Sequence, residues 1–244
     1  MMLVIYHLYH SGVALEYNGD LIVFDYFNDY SEEIKTGLAS GIIRDKCLQK
    51  YNKIYVFVSH QHRDHYNPVI FKWQEYNPNI YYILSDDIKV DQKDKLSQVK
   101  KGDYLLLDKL KASVYGTTDL GVSFLLEHDG LRIFHAGDLN WWHWNSFSAE
   151  QLQEEERGFK DEVDKLIGEK IDIAFIPVDP RLEENYYLAG DYFIEKVKPV
   201  LFVPIHFADN YDITEKFAER IKSIETEVAV IRKRGQKIIY KQKS

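Results

Sequence analysis

The chain has 244 residues, 45 % hydrophobic and 29 % charged, with 39 acidic against 31 basic side chains and a formal net charge of −8. These proportions exclude disordered and fibrous classes, and the acid excess argues against a nucleic-acid partner. A lone Cys47 excludes a disulfide framework and a thiolate zinc knuckle, and together with a start lacking a basic n-region and the absence of any run near ~20 apolar residues it points to the cytoplasm, without a membrane anchor.

Strand signals dominate the first half. Short runs rich in β-branched and aromatic residues, "LVIYHLYH", "VALEY", "LIVFDYF", "IYVFVSH", "IYYILSD" and "YLLLD", are separated by turn chemistry, Ser11-Gly12 and then Asn18-Gly19, which predicts an antiparallel start. "ASVYGTT" follows, then "GVSFLLEHDGLRIFHAGD" with a second hairpin at Asp129-Gly130, then "IDIAFIPVD", "PVLFVPIH" and the closing "EVAVIRKRGQKIIY". Helical periodicity lies between them. Val69, Trp73 and Tyr76 share a face after Pro68; "SAEQ" opens an acid-rich helix over 148–170 with a capping-box pattern; Phe217, Ile221 and Ile224 repeat after Thr214 as N-cap. Strands and helices alternating without a linker predict one layered α/β domain over 1–244, two sheets inside and helices outside.

The densest chemistry is "VSHQHRDHYNP", residues 58–68, which sets His60, His62, Asp64 and His65 within six positions. Imidazole and carboxylate groups this close repel or waste one another unless a cation gathers them. They stand where a buried strand ends, and in an extended segment side chains two apart point to one side at ~6.6–6.8 Å, which lets His60 and His62 converge on one ion. Asp138, after the turn-forming Gly137, and His206, ending "LFVPIH", fall at the ends of other strands.

H-x-H-x-D-H, then G-D, then a late strand-end histidine resembles the metallo-β-lactamase-fold hydrolases, in order from residue 1 to about 210. "HSG" and "FDYF" near the start, "HAGDLNWW" and "PVDPRL" are similar to the branch that includes the ascorbate 6-phosphate lactonase-like hydrolases. The resemblance implies a four-layer αββα sandwich, two mixed sheets with helices outside, carrying a binuclear site at one edge. It places His60 and His62 on one metal, Asp64, His65 and His206 on the other, and Asp138 between them. Asp64 takes the added role of orienting a bridging hydroxide, which two metals ~3.5–4 Å apart can hold, and passing its proton to the leaving group.

The family's third histidine on the first metal has no counterpart. Between His65 and Asp138 the chain offers only His128, in a hairpin turn that predicts exposure, and His135. Asp119, in "YGTTDLG" where the family places that histidine, is the substitute expected here; a carboxylate there moves the preference from Zn²⁺ towards Mn²⁺ or Fe²⁺. His10 and Asp25 are candidate partners fixing ligand orientation. Trp142 and Trp144 in "NWWHWNSF" are expected to wall a substrate pocket, and Arg181 to meet an anionic substrate.

The resulting expectation is a hydrolase with two divalent ions, Zn or Mn with Fe as the third option, acting on a small anionic molecule such as a lactone or phosphorylated sugar derivative. A phosphodiesterase or nuclease of the same fold and a non-catalytic metal-binding sensor are the alternatives. Oligomeric state, with a homo-oligomer among the options, is left open.

Overall fold

The computed structural model describes residues 2–30, 37–91, 93–221 and 226–242. The chain divides into two compact units, residues 1–99 with 232–244, and residues 100–231.

In the first unit the strands are β1 (Met2–Tyr9), β2 (Gly12–Tyr17), β3 (Asp20–Phe24), β4 (Ile54–Val58), β5 (Ile80–Ser85), β6 (Leu96–Val99) and, from the far end of the sequence, β14 (Lys237–Lys241). Among the described residues they form one sheet in the order β14-β1-β2-β3-β4-β5-β6. The pairings from β14 through β3 are antiparallel and those from β3 through β6 parallel. Asn18 and Gly19, with φ of 50° and 83°, make the β2–β3 turn that Asn-Gly predicts. β3 and β4 are buried at every position, as parallel strands covered on both faces require. A short helix, α1 (Asp45–Leu48), and a 3₁₀ segment over Pro68–Glu75 lie between strands. The latter replaces the expected α-helix. At three residues per turn Ile70 and Trp73 stack on one side, and both are buried, whereas Val69 and Tyr76 are only partly so.

In the second unit β7 (Tyr104–Leu107), β8 (Leu110–Tyr115), β9 (Ser123–His128), β10 (Leu131–His135), β11 (Ile173–Pro177), β12 (Leu201–Ile205) and β13 (Glu227–Val228) pair in the order β13-β12-β11-β10-β9-β8-β7. Here too three antiparallel pairings, β7 to β10, are followed by three parallel ones, β10 to β13.

Among the described residues three α-helices belong to this unit. α2 (Ala149–Val163) opens on the capping box read from "SAEQ", Ser148 and Gln151 exchanging hydrogen bonds of 3.3 and 2.9 Å, and ends seven residues before the expected limit. α3 (Leu188–Val197) escaped the sequence reading, its apolar face being broken by Gly190. That glycine is where α3 meets α4 (Asp212–Ile221): a Cβ there would lie 2.3 Å from the Phe217 ring. Thr214 sits inside α4 rather than at its N-cap, because its buried hydroxyl bonds the Tyr211 carbonyl (2.8 Å) and accepts from the Ile231 N–H (2.9 Å). Ile224 lies outside the described residues. "EVAVIRKRGQKIIY" forms no single strand; its charged middle, with Gly235 at φ 70°, separates β13 from β14. No helix among the described residues is long and apolar enough to cross a membrane.

Candidate metal-ligand clusters

In the first unit five buried apolar residues of β4 deliver Ser59 and His60 to the strand's C-terminal end. The chain then turns back at once: the N–H groups of His65 and Tyr66 both donate to the His62 carbonyl, at 3.1 and 3.0 Å. This brings the histidines together, with ring centroids 4.5 Å apart for His60 and His62 and 4.1 Å for His60 and His65. His60 Nε2 lies 2.9 Å from His62 Nδ1. His10, held at φ 55° by the β1–β2 turn, adds its imidazole edge-on to His65 and places Nε2 3.5 Å from Asp64 Oδ2. The His10 imidazole beside it holds the Asp64 carboxyl well below the usual range, although burial opposes this.

Asp25 organises the cluster from beneath. It follows β3, is 1 % exposed, and accepts from the Ser59 N–H (2.8 Å), the Ser59 hydroxyl (2.7 Å) and His65 Nδ1 (2.8 Å). A carboxylate can only accept, so His65 carries its proton on Nδ1. The Ser59 hydroxyl spends its single proton on Asp25, so it accepts from His60 Nδ1 at 3.0 Å. Both rings are thereby fixed as Nδ1–H tautomers with the Nε2 lone pair directed away from the anchor, the arrangement that a metal-ligating histidine needs. The donor set fits a divalent cation.

In the second unit β10 leads through Gly137 (φ 54°) to Asp138, and His206 (φ 67°) directly follows β12. His206 Nε2 lies 3.2 Å from Asp138 Oδ1, and both side chains are buried. Asp179, after β11 and 1 % exposed, approaches the other ring nitrogen of His206, Nδ1, at 3.0 Å. Burial raises the Asp179 carboxyl, but hydrogen bonds from His206 and Arg181 outweigh it and draw the group down to about 2.

Asp119 is exposed, with a carboxylate oxygen within 4.8 Å of one on Asp138. Its loop is stitched in place: the Thr118 hydroxyl donates to the Asn140 carbonyl (2.6 Å), and Glu162 of α2 accepts from the Gly116 N–H (3.1 Å). The side chains proposed for substrate lie in this unit as well. Trp142 is buried edge-on to His206, centroids 5.7 Å apart, and stacks flat on Trp144 at 5.9 Å. Arg181 forks onto Asp179, Nε at 3.0 and 2.9 Å and Nη2 at 2.5 Å, so the ion-pair partner is the role its geometry displays.

The two spare histidines stand apart. His128, expected at the surface, is fully buried at the end of β9, opposite Leu110 and Leu131, because a two-residue turn leaves it within the ladder. His135 is buried too, and its Nδ1 accepts from the Gly137 N–H at 3.1 Å. Neither falls in a group with metal-ligand spacing among the described residues. The sequence reading missed Ser59 and Asp179. Asp179 carries the signal that had singled out Asp25, an aspartate closing a buried apolar strand.

Two mixed β-sheets flanked by helices, with these pairings, are the metallo-β-lactamase fold, and solved structures match it over the whole chain. Igni18, a novel metallo hydrolase from the archaeon Ignicoccus hospitalis, superposes with a TM-score of 0.68 at 19 % identity, covering 100 % of both chains. The metallo-β-lactamase fold protein YhfI from Bacillus subtilis gives 0.61 at 10 % identity, covering 98 % of this chain and 99 % of that one. CmlA, a diiron β-hydroxylase from Streptomyces venezuelae, gives 0.58 at 8 % identity over 98 % of this chain, which spans 54 % of CmlA. No family model and no curated protein matches the sequence.

Proposed function

We propose that this protein is a metal-dependent hydrolase of a small anionic molecule, a lactone or phosphorylated sugar derivative. The observation that carries the reading is the Asp25–Ser59 anchor, which holds His60 and His65 in the tautomer that offers Nε2. By the sequence resemblance His60 and His62 would hold one metal and Asp64, His65 and His206 the other, with Asp138 serving both; Asp119 would stand in for the histidine the first metal lacks. Divalent ions held so supply Lewis acidity and a nucleophile from water at neutral pH.

The chain's own groups do the rest. Asp64, kept ionised by His10, accepts the proton of the attacking water at its carboxylate and returns it to the leaving group. Trp142 and Trp144 offer rigid apolar area beside the polar chemistry, and Arg181 the cation for an anionic substrate.

Elemental analysis of protein purified without chelator, joined to a panel of lactones, phosphodiesters and thioesters, tests this. About two equivalents of metal, from a ligand set too large for one tetrahedral ion, and turnover of a lactone or sugar phosphate are expected. One tightly held ion, unchanged in His206→Ala, overturns the binuclear reading; full metal with no turnover leaves a sensor, and phosphodiester cleavage alone a phosphodiesterase.

A further inference from the structure

Asp119 and Asp138 stand on different loops of the second unit, one between β8 and β9, the other after β10, yet a carboxylate oxygen of each lies within 4.8 Å of the other's. Two anions at that distance repel, and the Asp119 side chain is exposed, so it must be held in place from elsewhere. The neighbouring residue does this. The Thr118 hydroxyl donates its single proton to the Asn140 carbonyl (2.6 Å) and accepts from the Asn140 N–H (3.1 Å), while the Asp138 carbonyl lies 3.3 Å from the same oxygen. Asn140 is 1 % exposed, so water does not compete for either bond. The Thr118 methyl is turned to α2, 3.6 Å from where a Cβ on Gly158 would stand. At its base the loop is tied down separately, Gly116 donating to Glu162 (3.1 Å) and accepting from the Ser123 hydroxyl (2.9 Å).

We propose that Thr118 is the positioning residue of this carboxylate pair: its hydroxyl fastens the Asp119 loop to the Asp138 loop and so sets the separation at which the two carboxylates close on one divalent cation. The inference rests on the reading above in which Asp119 and Asp138 serve the same metal. Thr118 adjoins Asp119, and Asn140 stands two residues from Asp138, so the clamp crosses from loop to loop beside the ligands themselves. It grips backbone, which fixes where each aspartate starts while leaving its carboxylate free to turn. The repelling pair is thus gathered before a cation arrives, and the ion does not have to draw two loops together as it binds. The hydroxyl is the part that matters for this, because the methyl packs on α2 and touches neither ligand loop's partner groups.

The test is a titration of the metal-free full chain with Mn²⁺, the free ion being followed by electron paramagnetic resonance. Thr118→Val, which keeps the shape but not the hydroxyl, should weaken the more weakly held Mn²⁺ roughly 10–100-fold, the usual size for loss of an outer partner of a metal ligand. Thr118→Ser, which keeps the hydroxyl, should bind like the parent. Thr118→Ala leaves room for a water between the loops, so its fold does not depend on burying the Asn140 groups unpaired; the longer bridge should still cost it the same ion. Asp119→Ala should lose that ion altogether, and adding Thr118→Val to it should leave the remaining ion bound as in Asp119→Ala alone, a result that general loosening of the fold would not give. Parent-like Mn²⁺ affinity in the hydroxyl-free variants, failure of Thr118→Ser to restore binding, or further weakening of the remaining ion in the double variant overturns the proposal. Full Mn²⁺ binding by Asp119→Ala instead overturns the ligand assignment beneath it.

Discussion

Asp25 Oδ2 and His65 Nδ1 lie 2.8 Å apart with 1 % and 0 % of their side chains exposed. Three donors converge on this carboxylate, and removing one partner of such a buried pair costs roughly 3–5 kcal/mol because the other is left desolvated. Asp25→Ala is expected to lower unfolding free energy in urea by about that amount in metal-free protein. A loss under about 1 kcal/mol, the level of an ordinary surface pair, would show that the anchor contributes little.

Asp119→Ala is expected to lose one metal equivalent while its stability stays close to the parent's, since the side chain is exposed and its loop is held by Thr118 and Glu162. Asp119→His should shift preference towards Zn²⁺ as imidazole replaces a hard oxygen donor. Unchanged metal content in Asp119→Ala would remove this residue from the site.

Glu162 gives a pH dependence with a definite sign. Burial raises its carboxyl, but Lys101 and Lys165 outweigh that and leave it below its ordinary value of 4.5. A group whose folded pKa is depressed contributes stability that is fully present above the unfolded pKa and is lost as pH falls through the folded one. Metal-free protein should therefore lose stability below about pH 4.5, and Glu162→Gln should flatten that limb. Urea midpoints that fall as steeply in acid for Glu162→Gln as for the parent would contradict it.

The two tryptophans should separate. Trp142 is buried, so Trp142→Ala is expected to lower stability by roughly 3–5 kcal/mol. Trp144 is half-buried, and Trp144→Ala should raise KM for an identified substrate with a much smaller change in Tm. If KM is unmoved in Trp144→Ala, the stacked pair is packing alone.

Much of this was legible because local rules and tertiary structure agree. Asn18-Gly19 and Asp129-Gly130 made the turns their chemistry demands, and buried runs such as "IYVFV" became strands. Where the reading failed, a long-range contact decided. Thr214 was pulled into α4 by its bond to Ile231, α3 owes Gly190 to the approach of Phe217, and His128 was buried by neighbours on both sides of β9. Within the ligand clusters the histidines announced themselves by spacing, whereas Ser59 and Asp179 act through hydrogen bonds that only the folded chain reveals.

The pairing of β1 with β14 has a consequence for synthesis on the ribosome. Among the described residues every strand of the second unit lies between Tyr104 and Val228, so all its partners have been made before Lys237 is added. The first sheet has no such freedom: Leu3, Val4 and Ile5 meet Tyr240, Ile239 and Ile238 only after the strands of the second unit have been made. Until then β1 presents an open strand edge, the kind of surface that recruits other chains. β1 thus precedes every other strand of its sheet in the chain and is the last to be closed on that side, so the folding chain depends longest on whatever shields that edge.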